Sequence, residues 1–134
     1  MRKLLYTLVF CGLMAWPACS QNTDQILILF DIYQMQMDLV EREMVSGSLG
    51  ARYERIALKR TAIELGEKGV KGVAELSRLT DEYFAAMLYA IIDHDATETK
   101  IDTDELKKNE SVMVARIKLN SWIEAKRQGL QIKK

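Results

Sequence analysis

Six apolar residues, Ile26, Phe30, Tyr33, Met37, Val40 and Met44, follow one another at spacings of 4, 3, 4, 3 and 4. A strand repeats every two residues, so it cannot bring these side chains to one face. A helix can, and the alternation of three and four is the seam of a helix packed on other helices. Leu27, Ile28, Leu29 and Ile32 add apolar surface outside that seam. The first turns are thus apolar nearly all round, as in a central helix or one that meets a partner. Thr23 or Asp24 is expected to cap this helix. The cluster Gly47-Ser48-Leu49-Gly50 is expected to end it near Ser46.

Three further helices are expected. The second runs from about Leu49 to Leu65 with Leu49, Tyr53, Ile56 and Ile63 as its apolar face, and Gly66 and Gly69 as stop signals. The third carries Val73, Leu76, Leu79, Tyr83, Met87 and Ile91 on one face, widened by Phe84, Leu88 and Ile92. Thr80-Asp81-Glu82 has the composition of a fresh cap, which would break this helix near Thr80. Asp95 to Asp102 reads as a polar loop. Asp102 with Glu105 has the capping-box spacing, and it opens a fourth helix that reaches about Gln128, with Gly129 as its stop. One stripe of that helix holds Leu106, Met113, Ile117 and Asn120, and its neighbour holds Val112, Ala115, Leu119 and Trp122. Four amphipathic helices joined by short loops predict an all-α fold, an up-down-up-down four-helix bundle.

The chain opens differently. Arg2 and Lys3 precede a mainly apolar run of 13 residues, Leu4 to Trp16, followed by Pro17-Ala18-Cys19-Ser20. A basic start, a short apolar stretch and small residues at its exit are the pattern of a cleavable secretion signal. A membrane span needs about 20 apolar residues, so this run is too short for a permanent one. Cleavage after Ser20 would remove residues 1–20 and leave 21–134 as a single helical domain. The segment also resembles a bacterial lipoprotein signal, with Trp16 where such signals usually carry Leu. That resemblance implies a signal of residues 1–18 and Cys19 as the lipidated first residue of the mature chain. The expected location is the periplasm or the exterior, with membrane attachment if Cys19 is lipidated.

Removal of the segment matters for the chemistry that remains. Cys11 and Cys19 are the chain's two cysteines and Pro17 its one proline, so the mature chain has no disulfide and no proline. Its 114 residues can bury one core. Without Arg2 and Lys3 there are 17 basic against 19 acidic residues, which gives no electrostatic case for nucleic acid.

Few residues offer chemistry. His94, the sole histidine, stands in Asp93-His94-Asp95 at a helix end, where a cation is favoured in any case. A metal site would need partners that one histidine and no cysteine do not supply. Asp93, Asp95, Thr97 and Asp104 fall at positions 1, 3, 5 and 12 of a calcium loop, but Glu98 stands where that loop needs glycine. Met35 and Met37 are two apart and point in opposite directions on a helix, so they cannot share a soft metal. Arg52, Arg55 and Lys59 form a basic stripe able to hold an anion, or simply a solvated face. No nucleophile elbow or phosphate loop is present.

Three functions are compatible with this inventory. The first is an exported helical protein that binds another protein through Ile28, Leu29 and Ile32, as an adaptor, assembly factor or inhibitor, with no cofactor. The second is a small exported all-helical enzyme using Arg55, Lys59 and Glu64 electrostatically, by analogy with exported chorismate mutases. The third is a structural envelope protein held by lipid on Cys19.

Overall fold

The computed structural model describes residues 2–47, 51–95 and 101–132, with side chains placed for 22–47, 51–94 and 101–131. Among the described residues there are five helices and no strand: α1 (Arg2–Ser46), α2 (Arg52–Glu67), α3 (Val73–Asp95), α4 (Thr103–Lys108) and α5 (Glu110–Ile132). Helix α1 does not start near Asn22 as its capping residues suggest. Its backbone continues from Arg2 through Pro17. The side chains of the opening segment, Cys11 and Cys19 included, lie outside those described, as do Leu49 and the Thr97–Glu98 stretch.

The seam of α1 is wholly buried, from Met44 at 8 % exposed to Phe30 and Val40 at 0 %. It packs chiefly on α2, while α3 packs chiefly on α5. Polar contacts fix the directions. Thr61 Oγ1 donates to Gln36 Oε1 (2.8 Å), and Lys68 Nζ donates to Gln25 Oε1 (2.6 Å), so α1 and α2 run in opposite chain order. Arg116 faces Asp38 and Glu41 while Arg127 faces Asp31, so α1 and α5 do the same. Tyr33 meets Thr80 and Glu41 meets Tyr83, which places α3 in the same chain order as α1.

Helix α2 buries a different face from the one its large residues suggest. Leu58, Thr61, Ala62 and Leu65 are buried, whereas Tyr53, Ile56 and Ile63 are exposed. The small Ala62 and Thr61 allow close approach to α1, and the Thr61 hydroxyl also donates back to Ala57 O (3.1 Å). Helix α3 is unbroken at Thr80. Its hydroxyl donates to Leu76 O (2.7 Å) within the helix instead of capping a new one. Leu88 and Ile92 face out, while Leu76, Leu79, Tyr83, Phe84 and Met87 enter the core.

The expected fourth helix is two. Asp102 Oδ1 accepts from Glu105 N (2.7 Å) and caps α4 as the sequence implies. Asn109 then leaves helical geometry (ψ 128°), and its Oδ1 accepts from Val112 N (3.2 Å), capping α5. The break lets Leu106 and Val112 both reach the core. In α5 the buried stripe is Val112, Ala115, Leu119 and Ile123, while Met113 and Ile117 face out. Gly129 does not stop α5, which continues to Ile132.

Candidate functional site

Helix α1 carries a second apolar stripe outside the core. Ile28, Ile32, Met35 and Leu39 are 55, 37, 65 and 46 % exposed, at spacings of 4, 3 and 4. At 3.6 residues per turn this stripe lies about 150° around the helix from the buried seam. The sequence pattern groups Leu29 with Ile28 and Ile32, but Leu29 is only 9 % exposed and belongs to the core. The outward surface is therefore Ile28, Ile32, Met35 and Leu39. No described helix covers it. Met35 and Met37 part company as their spacing requires: Met35 is exposed and Met37 is 3 % exposed.

The basic stripe of α2 is split. Arg55 and Lys59 line the rim of a cleft of about 240 Å³ between α2 and α3, above Leu58, Ala62 and Phe84. Arg55 sits over Phe84, its guanidinium carbon 5.0 Å from the ring centroid. Asp81 lines the same cleft and offsets their charge. Arg52 is exposed and stands outside this cleft, and so does Glu64. The three groups needed for electrostatic catalysis, Arg55, Lys59 and Glu64, thus do not converge there.

The most concentrated polar chemistry is one the sequence pattern does not single out. Glu41 is 3 % exposed on the flank of the α1 seam. Its Oε1 accepts from the Tyr83 hydroxyl and lies 3.2 Å from Arg116 Nη1, while its Oε2 lies 3.8 Å from Lys107 Nζ. Arg116 Nη2 also reaches Asp38 Oδ1 (3.6 Å). Burial, then the hydrogen bond to Glu41 and its charge, hold the Tyr83 phenol well above its ordinary range. The carboxylate is thus answered from three elements, α3, α4 and α5. The signal was Glu41 directly following Val40 and preceding Met44: a carboxylate beside an apolar seam has to find partners. The group of contacts closes the core, and every member is already engaged.

His94 Nε2 meets Glu105 Oε2 (2.8 Å), which ties the end of α3 to α4. Glu105 therefore serves this pair. Among the described residues no three His, Cys, Asp or Glu side chains gather as a metal site, and no helix is long and apolar enough to cross a membrane. No protein-family model, curated protein or solved structure matches this chain.

Proposed function

We propose that the chain is an exported helical protein that acts by binding another protein, and that the exposed stripe of α1 is the surface it uses. The stripe carries the reading. Four large apolar side chains at helical seam spacing, on a helix whose other seam is already filled, fit an apolar helix face of a partner. A single exposed leucine or isoleucine means little, but a run in register is a contact surface. The domain is an up-down-up-down four-helix bundle of α1, α2, α3 and α5, supported by the opposed chain order of the α1–α2 and α1–α5 contacts.

A photo-crosslinking residue placed at position 32 in the producing cells tests the surface. One discrete adduct with a different protein is expected, lost when Met35→Asp is added. No adduct, or the same adducts from a crosslinker at exposed Lys118, would overturn the reading.

Export rests on the basic and apolar pattern of residues 1–20. The mass of the purified protein is expected to place its first residue at Gln21. A first residue at Cys19 carrying acyl chains would make it the lipid-anchored form, and an intact Met1 would remove export from the proposal.

A further inference from the structure

A cavity of about 360 Å³ opens where α1, the α2–α3 turn and the last turns of α5 meet. Ligand pockets commonly enclose about 300–1,000 Å³, so this one can hold a small molecule. Its inner wall is apolar: Phe30 and Val70, faced by Leu130. Its two charged lining residues are both cations, Lys71 and Lys126. Among the described residues neither ammonium has a carboxylate within 4.0 Å. Lys126 Nζ rests 5.2 Å from the Trp122 ring centroid, a contact that positions the charge without neutralising it. The remaining wall is Ala125 and the two glycines, Gly69 and Gly129. Gly69 is in left-handed geometry (φ +96°), and neither it nor Gly129 would bring a Cβ within 4 Å of any neighbour. The glycines thus leave open the space that side chains would fill.

We infer that this cavity binds a small amphipathic anion, an alkyl or aryl carboxylate, with its tail on the partly exposed Val70 and Leu130 and its carboxylate between Lys71 and Lys126. The cleft beside Arg55 and Lys59 is less suited to an anion, because Asp81 shares it. The cavity differs in that its charged lining is of one sign only. Placing a carboxylate there adds charge-assisted hydrogen bonds to groups now facing water, and it covers apolar wall at the same time. An uncharged analogue gains only the second.

The test uses the whole purified protein, with the Trp122 indole N–H resonance as reporter and sodium octanoate and octanol as probes. Octanoate is expected to shift this resonance saturably and to bind about tenfold tighter than octanol. Lys71→Gln with Lys126→Gln is expected to erase that difference while leaving octanol binding unchanged. Gly129→Leu, which fills the cavity from an open helical position, is expected to abolish binding of both. Equal affinity for the two probes overturns the inference, as does octanoate binding that survives Gly129→Leu in a variant whose helical content and melting are those of the parent. So does a shift that never saturates.

Discussion

The Tyr83 hydroxyl donates to Glu41 Oε1, joining α3 to α1 through a carboxylate only 3 % exposed. Arg116 completes the arrangement from α5 at 3.2 Å. Removing one partner leaves the others buried and unanswered, which is more damaging than never having had the pair. Tyr83→Phe deletes one hydrogen bond and is expected to cost about 1–3 kcal/mol in urea unfolding. Arg116→Met leaves the carboxylate with the Tyr83 hydroxyl and, as its one cation, Lys107 at 3.8 Å, and is expected to cost more, about 3 kcal/mol or above. If Arg116→Met proves milder than Tyr83→Phe, the guanidinium is not what holds Glu41.

Alkaline pH acts on the same interior. Burial, against the Thr80 hydrogen bond and with Asp81 adding to it, pushes the Tyr33 phenol from 10.0 up to about 12. The Tyr83 phenol is raised as well. A raised phenol means the folded state keeps its proton after the unfolded chain has lost it. The stabilisation is whole below pH 10 and is lost as pH rises from there through about 12. Each tyrosine contributes a slope of about 1.4 kcal/mol per pH unit in that window. Urea unfolding measured at stepped pH is therefore expected to show stability falling above pH 10, and Tyr33→Phe to flatten the fall. A stability flat to pH 12 in the parent protein would mean that both phenols titrate as free ones do.

The α2–α3 turn rests on Gly72, whose φ is +84° and whose absent Cβ would sit 3.4 Å from Trp122 Cζ2. Left-handed backbone costs a residue with a Cβ about 1–2 kcal/mol, and the added Cβ would come into van der Waals contact with the indole. Gly72→Ala is expected to lose about that much stability and, because its methyl touches the indole, to shift the Trp122 emission. Gly129→Ala has the opposite expectation. It is helical with open space around it, so alanine should gain about 0.5–1 kcal/mol. Equal effects from the two substitutions would show that backbone geometry is not the deciding difference.

Which of these features the sequence carries follows from what each depends on. The α1 seam is a periodic pattern of large residues, and all six of its members are buried. The Asp102 cap is a local hydrogen bond between residues three apart, and it too is legible. The α2 face is not, because Tyr53 and Ile63 are larger than the Thr61 and Ala62 that face the core. Size at one helix says nothing of how close its neighbour comes. The same limit applies in α5, where two adjacent apolar stripes compete and the Asn109 break decides which one faces inward. Glu41, Tyr83 and Arg116 are 42 and 33 residues apart in turn, so their meeting depends on tertiary packing that no spacing rule reaches. Lys71 and Lys126 come together for the same reason.

The two apolar faces of α1 make opposite demands on substitution, which separates folding from binding. Leu29 is 9 % exposed, and truncating it removes core contacts: Leu29→Ala is expected to cost about 2–4 kcal/mol. Met35 is 65 % exposed, so Met35→Asp changes only solvated surface and should stay within about 0.5 kcal/mol of the parent. For the proposed partner the order reverses. Met35→Asp places a charge in the middle of the Ile28, Ile32 and Leu39 stripe and is expected to abolish the crosslink from position 32. Leu29→Ala should retain the crosslink at temperatures where the variant is still folded. Melting followed by circular dichroism, measured beside crosslink yield on both variants, reads the two effects separately. A Met35→Asp protein that is fully stable and still crosslinks would remove the outer face of α1 as the binding surface.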